Sequence, residues 1–184
     1  MGQRIILVRH GETEANRDRH FATDDVSLTE AGRAQAHEVG LRLKREFEPD
    51  VLLSSEFLRA RQTSEIIAGI LGLATEAIPG LHERDFGSWK GRPYEHQELI
   101  PFDGESLDDL LKRSIDAVEE LRLRYPRREV VVVCHGALIQ AVCAHAAGDW
   151  SEAAVPPNCG IVILEFPEAG WTATIPASAS IQAG

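Results

Sequence analysis

Four short apolar runs stand out along the chain and predict β-strands. They cover Ile5–Arg9, Val51–Ser54, Val130–Cys134 and Ile161–Phe166. The first three are continuous runs of β-branched residues and leucines, without the polar alternation of a half-exposed strand. Such runs are typical of strands buried on both faces of a parallel sheet. The pattern therefore predicts a mostly parallel central sheet.

Four segments with apolar residues at helical spacing lie between these runs. They predict helices over Thr29–Phe47, Glu56–Leu71, Glu105–Arg124 and about Gly136–Ala147. Ser106 is a candidate N-cap for the third of them. Because strands that alternate with helices form βαβ crossovers, the sequence predicts a layered α/β domain. In such a domain the site lies beyond the carboxyl ends of the strands.

The length of the chain suits a single domain over residues 1–184, with a loose tail over about 173–184, where alanine and serine are frequent. The apolar runs are much shorter than a membrane span, and the N-terminal residues do not resemble a signal peptide. Cys134, Cys143 and Cys159 are an odd number of cysteines in apolar surroundings, which indicates reduced thiols. We therefore expect a cytoplasmic protein that does not contact membranes and is a monomer or a homodimer.

The formal net charge is −10. This charge argues against binding to nucleic acid, because the phosphates of nucleic acid need a basic surface. It also means that an anionic substrate must be attracted by a local group of basic residues. Arginines at the ends of the predicted strands are therefore the residues of interest.

The first predicted strand ends in Arg9-His10-Gly11. Gly11 allows a sharp turn and the close approach of a ligand. The charge of Arg9 disfavours the imidazolium form of His10 and favours a neutral, nucleophilic ring. It also disfavours a metal ion at His10. The alternative for this motif is a cap that only ends the strand.

Two further basic groups follow predicted strands. Arg59 lies one turn into a helix that begins at the end of a strand, and its guanidinium can bind a phosphate or a carboxylate through two hydrogen bonds. His135 ends the strand Val130–Cys134, and Gly136 opens a helix whose first N–H groups form an anion position. Taken singly, a solvated arginine and a structural histidine are the alternatives.

Glu83 lies in the segment LHERDFGSWKG, between a histidine and an arginine and ahead of two aromatic residues. Such a loop, packed by its aromatic side chains, can hold a carboxyl group for general acid catalysis. The alternative is a pair of surface charges. If the four motifs converge on one edge of the sheet, they describe a phosphate pocket with a nucleophile and a proton donor.

Taken in order, the motifs LVRHGETEAN, LTEAG, SSEFLRARQT, LHERDFGSWKG, GES and CHG resemble those of the histidine phosphatase superfamily. The resemblance covers nearly the whole chain and is strongest to the branch of cofactor-dependent phosphoglycerate mutases and small related phosphatases. It implies a phosphoglycerate mutase-like fold, which is a three-layer α/β sandwich with a mostly parallel central sheet flanked by helices.

The resemblance also implies a role for each motif residue. His10 would be the nucleophile and form a phosphohistidine, and Glu83 would protonate the leaving alkoxide and then activate water. The phosphoryl oxygens would be held by Arg9, Asn16, Arg59, His135 and the backbone of Gly136. No metal ion and no cofactor would be needed, because the arginines supply the positive charge.

A short cap segment, defined here as residues 91–104, bears on whether the protein is a phosphatase or a phosphoglycerate mutase, which are the two activities of this branch. Its central stretch, RPYEHQELIPFD, carries one arginine and three acidic residues, which are poorly suited to a second anionic group. This favours a metal-independent hydrolase, a phosphomonoesterase acting on a small phosphorylated metabolite. A phosphoglycerate mutase and a non-catalytic phospho-ligand binding protein are the alternatives. Tyr94, His96 and Phe102 either line the substrate side or only pack within the cap.

Overall fold

The computed structural model describes residues 3–153, 155–168 and 170–176, apart from the side chains of residues 96–98 and 152. Its strands are β1 (Arg4–Arg9), β2 (Val51–Ser54), β3 (Thr75–Ala77), β4 (Glu129–Cys134), β5 (Ile161–Glu165) and β6 (Thr172–Thr174). They form one sheet in the order β3-β2-β4-β1-β5-β6. Strands β1 to β4 are parallel, whereas β5 pairs antiparallel with both β1 and β6. The predicted mostly parallel sheet is confirmed.

The four predicted helices lie at or close to their predicted bounds, and a one-turn helix that was not predicted precedes them in the chain. The helices are α1 (Glu14–Arg17), α2 (Glu30–Glu46), α3 (Leu58–Leu71), α4 (Leu107–Arg124) and α5 (Gly136–Ala147), with 3-10 turns at Gly87–Trp89, Tyr94–Leu99 and Trp150–Glu152. Ser106 caps α4 as predicted, since its hydroxyl accepts a hydrogen bond from the backbone N–H of Asp109. Within the described residues, no helix has the length and apolar character needed to cross a membrane.

The sheet is buried on both faces, which makes the fold a three-layer sandwich. Along β1, Ile5 and Leu7 point to a core formed with α4 and α5, whereas Ile6 and Val8 point to a second core formed with α2 and α3. All four side chains are fully buried. Because neither face of β1 meets water, the strand can be apolar throughout, as its sequence indicates.

Two strands were not predicted. β3 and β6 have three residues each and are largely exposed, so they carry no apolar run. The predicted tail begins within β6, because Ala173 and Thr174 belong to that strand. The rest of this prediction concerns residues 177–184, which lie outside the described residues.

The register of the parallel strands brings the predicted site residues to one edge of the sheet. Arg9 lies opposite Cys134, and Ser54 lies opposite Val133. The backbone N–H of His10 extends this register by donating to the carbonyl of Cys134 at 3.0 Å. The residues that immediately follow β1, β2 and β4 therefore emerge side by side.

Candidate active site

A cavity of about 400 Å³ opens at this edge of the sheet. Six of the seven predicted site residues line it, namely Arg9, His10, Asn16, Arg59, Glu83 and Gly136. The seventh, His135, is fully buried and lies directly behind His10, with 5.3 Å between the ring centroids. The four motifs thus converge: three of them follow predicted strands, and the loop that carries Glu83 joins them at the same edge of the sheet.

His10 is held as a neutral imidazole with a defined tautomer. Its Nδ1 lies 2.8 Å from the carbonyl oxygen of Gly11, to which it donates, and its Nε2 accepts a hydrogen bond from Nε of Arg59 at 3.2 Å. Burial, followed by the charges of Arg59 and Arg9, lowers the pKa of His10 well below its usual value. Nε2 therefore carries the lone pair that a nucleophile needs.

Gly11 is fixed by a close backbone contact. A Cβ atom at Gly11 would lie 2.4 Å from the carbonyl oxygen of Gly32, near the start of α2. In addition, the N–H of Gly11 donates to the hydroxyl of Thr63, which in turn donates to the carbonyl of Arg59. The turn after β1 is thereby tied both to α2 and to the helix that carries Arg59.

Arg59 is buried in the wall of the cavity, although a solvated arginine was the alternative from sequence. Only 1% of its surface is exposed. Its Nη1 donates to the carbonyl of Thr23 at 2.8 Å, and its guanidinium lies over the ring of Phe57. These contacts fix the guanidinium beside His10, where its charge can face a bound anion.

Two buried nitrogen atoms near the cavity have no hydrogen-bond partner among the described residues, Nε of Arg9 and Nδ1 of His135. The other end of the Arg9 guanidinium is anchored, because its Nη1 donates to the carbonyl of Pro156. Leaving a buried donor unpaired costs roughly 1–3 kcal/mol, so unpaired donors of this kind are suited to a ligand that accepts hydrogen bonds.

Ser55 sets the tautomer of His135, a role that the sequence did not reveal. Its hydroxyl lies 2.8 Å from Nε2 of His135 and accepts a hydrogen bond from the N–H of Phe57. The hydroxyl proton is therefore available to Nε2, which leaves the ring proton on Nδ1. Burial is the main cause that lowers the pKa of His135, so the ring is neutral and Nδ1 is a hydrogen-bond donor.

The N-terminus of α5 holds the carboxylate of Glu83. One oxygen, Oε1, accepts hydrogen bonds from the N–H of Ala137 and from the N–H of Arg84, both at 3.0 Å. The predicted anion position at the start of α5 is thus occupied in part by a side chain of the protein. Glu83 lines the cavity, and its second carboxyl oxygen has no hydrogen bond to the described residues.

An ion pair, which we call the acid-loop clasp (Glu105 and Arg113), closes the loop that carries Glu83. Arg113 forms two hydrogen bonds with the carboxylate of Glu105 at 2.8 and 2.9 Å. Its Nη1 also donates to the carbonyls of Gly80 and His82. Glu105 belongs to the GES motif. That motif therefore not only precedes α4 but also anchors, through Arg113, the loop that carries Glu83.

The spacing of His10, Glu83 and His135 also resembles a metal site, because one ligand atom of each lies within 4.8 Å of the others. The surrounding charge does not suit a metal ion. Nε2 of His10 accepts a hydrogen bond from the positively charged guanidinium of Arg59, and the guanidinium of Arg9 lines the same cavity. Two fixed cations favour an anion there.

The remaining predicted residues divide between the cavity and the surrounding core. Asn16 lines the cavity, and its Oδ1 accepts a hydrogen bond from Asn158, which anchors the amide. Tyr94 also lines the cavity, whereas Phe102 packs edge-on against Trp89 and does not. The side chain of His96 lies outside the described residues.

Comparison with known proteins agrees with this geometry. A sequence profile of the histidine phosphatase superfamily (branch 1) matches residues 5–176. The chain belongs to this superfamily. It is 31% identical to the uncharacterized phosphatase PhoE of Bacillus subtilis over 175 residues, which cover 91% of this chain and 90% of that protein.

Two other relatives have more specific names. The metal-independent phosphoserine phosphatase of Arabidopsis thaliana is 35% identical over 158 residues, covering 75% of this chain and 66% of that protein. The mycobacterial glucosyl-3-phosphoglycerate phosphatase, solved in complex with VO3, superposes with a TM-score of 0.83 at 27% identity, covering 96% of this chain and 99% of that one. Phosphoglycerate mutases also occur among the relatives. The chain is therefore related mainly to phosphatases that act on small molecules.

Proposed function

We propose that this protein is a phosphomonoesterase that hydrolyses a small phosphorylated metabolite through a phosphohistidine on His10. The observation that carries this proposal is the state of His10, a neutral ring whose Nε2 faces the cavity beside Arg59. Membership of the superfamily and the phosphatase names of its relatives support the same activity.

In the first step, the hydrogen bond from Nε of Arg59 to Nε2 of His10 breaks, which frees the lone pair of Nε2 and leaves the Arg59 N–H to face the phosphoryl group. Nε2 then attacks phosphorus and the bond from phosphorus to the ester oxygen breaks. The guanidinium groups of Arg9 and Arg59 balance the charge on the phosphoryl oxygens. Nδ1–H of His135, which has no partner among the described residues and lies next to His10, is the further donor for these oxygens. Glu83 enters this step as the carboxylic acid and gives the proton on its second carboxyl oxygen to the leaving alkoxide, which leaves Glu83 as the carboxylate. The products are the alcohol and the phosphohistidine.

In the second step, a water molecule attacks the phosphohistidine. Glu83 has lost its proton in the first step, so its carboxylate can now accept one from the water. The bond between phosphorus and Nε2 breaks, inorganic phosphate leaves, and His10 returns to the neutral state. Splitting one difficult displacement into two steps of this kind is the usual benefit of a covalent intermediate.

The decisive variant is His10→Ala, assayed by phosphate release from para-nitrophenyl phosphate and from an alkyl phosphate. Because the nucleophile is removed, we expect at least about a 10³-fold loss of kcat. His37→Ala is the matched control, since His37 is exposed on α2 and far from the cavity lining. Full activity of the His10 variant would contradict the mechanism.

Phosphoglycerate mutase activity is the second candidate, supported by the mutases among the relatives. The lone arginine of the cap segment argues against it, because Arg92 donates to the carbonyl of Ser88 and does not line the cavity. The test is 3-phosphoglycerate with and without 2,3-bisphosphoglycerate. Rapid interconversion of phosphoglycerates without phosphate release would show a mutase, whereas phosphate release supports the phosphatase.

The same proposal includes three properties of the protein in the cell. We expect activity to persist in the presence of a chelator, because the arginines supply the positive charge. We expect a cytoplasmic location, which the free thiols of Cys134, Cys143 and Cys159 support. We also expect a monomer or a homodimer that binds neither nucleic acid nor membranes.

A further inference from the structure

Arg19 is a cation in the cavity lining that is not among the residues proposed to bind the phosphate. Arg19 and Tyr94 line the cavity, and both also line a neighbouring cavity of about 350 Å³. They therefore form the wall between the two spaces. Arg19 was not a candidate from sequence, because it is an exposed residue in a polar segment.

The backbone around Arg19 is fixed in an uncommon conformation. Its φ angle is 57°, in the left-handed region that residues other than glycine rarely adopt. The carbonyl of Arg19 accepts a hydrogen bond from the N–H of Tyr94 at 2.9 Å, and the N–H of Phe21 donates to Arg92. The segment is thus joined to the cap segment. Backbone strain of this kind clusters at functional sites.

The guanidinium of Arg19 has no carboxylate partner among the described residues. It lies 5.9 Å from the centre of the Tyr94 ring, a cation–π contact. Other basic residues nearby are paired, since Arg17 bonds to Asp18 at 2.9 Å and Lys90 bridges two aspartates. In a chain with a net charge of −10, an unpaired cation at a cavity mouth is suited to an anion from outside.

Tyr94 connects this cation to the reacting end of the cavity. Its ring is half-buried and packs edge-on against Phe21, with 4.6 Å between centroids. Burial raises the pKa of Tyr94, so its hydroxyl keeps its proton and can donate a hydrogen bond. The charges of Arg9 and Glu83 also act on this hydroxyl, which places it within electrostatic reach of the phosphate site.

We propose that Arg19 and Tyr94 form a subsite for a second anionic group on the alcohol part of the substrate. A carboxylate and a second phosphate share the required chemistry, because each can accept hydrogen bonds from a guanidinium and a phenol. This inference rests on the proposed function, since it takes the first phosphate to lie at His10. The cap segment supplies the tyrosine, and the segment joined to it, which carries Arg19, supplies the charge.

The test uses pairs of esters that differ in the second anionic group. 3-Phosphoglycerate and glycerol 3-phosphate differ only by a carboxylate in place of a hydroxymethyl group. Fructose 1,6-bisphosphate and fructose 6-phosphate differ by a second phosphate. The variants are Arg19→Gln, Arg19→Lys and Tyr94→Phe, with Arg17→Gln as a control that removes the same charge two residues away, outside the cavity lining.

In the wild type we expect kcat/KM to be higher for the ester with the second anionic group in at least one pair. Arg19→Gln should reduce that preference about 10- to 100-fold, the usual effect of losing a hydrogen bond between charged groups. Arg19→Lys should retain part of the preference, and Tyr94→Phe should reduce it less than Arg19→Gln does. Arg17→Gln should leave kcat/KM unchanged for both esters. The pair that responds identifies the group as a carboxylate or a phosphate. The same loss on both members of each pair would overturn the inference.

Binding separates this inference from the proposed function. Calorimetry on the His10→Ala variant measures the affinity for 3-phosphoglycerate and for fructose 1,6-bisphosphate without turnover. If wild-type protein releases no phosphate from any ester, the proposed function fails. The subsite is then judged by adding Arg19→Gln to the His10→Ala variant. An affinity at least about tenfold weaker supports the subsite, and an unchanged affinity overturns it.

Discussion

Removing the arginine of the acid-loop clasp should damage both stability and catalysis. The side chains of Arg113 and Glu105 are only 20% and 12% exposed. Arg113→Met would leave the carboxylate of Glu105 without its counterion and free the carbonyls of Gly80 and His82. Breaking a buried pair costs about 3–5 kcal/mol, and we expect about 3 kcal/mol here, because this pair is partly exposed and the carboxylate of Glu105 keeps a hydrogen bond from the N–H of Asp85. For a chain of this length, Tm should fall by about 6–12 °C.

The catalytic effect should depend on the leaving group. Because the clasp positions Glu83, the loss should be largest where the alkoxide needs a proton. We expect kcat to fall about 10- to 100-fold for an alkyl phosphate, a part of the 10²–10⁴ that general acid catalysis contributes. The loss should be several-fold smaller for para-nitrophenyl phosphate, whose leaving group needs little protonation, and KM should change little.

The assay is steady-state kinetics on both esters at a temperature well below the Tm of the variant. Lys112→Met is the matched control, because Lys112 is exposed on the same helix and its one ion pair among the described residues is with Asp116. An equal loss on both esters would refute a positioning role for Arg113, since general damage to the fold does not distinguish between leaving groups. A decrease in Tm with unchanged kinetics would refute it as well.

Two further predictions concern stability. Gly11→Ala should destabilise the protein by about 3 kcal/mol in urea unfolding, because its Cβ would collide with backbone atoms of Gly32. Gly69→Ala, where a Cβ meets nothing within 4 Å, should instead stabilise α3 by about 0.5–1 kcal/mol, and similar effects at both glycines would contradict this account. His10 and His135 have lowered pKa values when folded but take up protons below about pH 6.5 when unfolded. The free energy of unfolding should therefore decrease as pH falls from 7 to 5, by up to about 2.7 kcal/mol per pH unit. Replacement of His135 by Gln should roughly halve that slope, and a flat profile in the wild type would count against buried neutral histidines.

The strands that could be predicted are those that are buried in the sheet and therefore consist of apolar residues. β1, β2 and β4 are apolar on both faces, so their sequences alone set their type and nearly their bounds. β3 and β6 are short edge strands held by pairing with a neighbour, and pairing leaves no local pattern. The antiparallel direction of β5 follows from the path of the chain, which periodicity does not report.

The candidate site shows the same division. His10 and His135 directly follow apolar runs, and Arg59 is one turn into a helix that begins just after such a run, so their convergence follows from the parallel sheet. Ser55 also directly follows a strand, yet the sequence around a serine does not indicate a role until its partner, His135, is known. The role proposed for Arg19 could not be predicted from sequence, because it depends on the contact between Arg19 and the cap segment.

The place of β1 in the sheet bears on how the protein is made. β1 leads to the proposed nucleophile, but both of its neighbours, β4 and β5, come from the last third of the chain. A nascent chain that ends before β4 already contains His10, Arg59 and Glu83, yet no strand lies beside β1 to hold them together. Activity should therefore appear late in translation, once β4 and β5 have left the ribosome, and an incomplete chain cannot hydrolyse the metabolites around it.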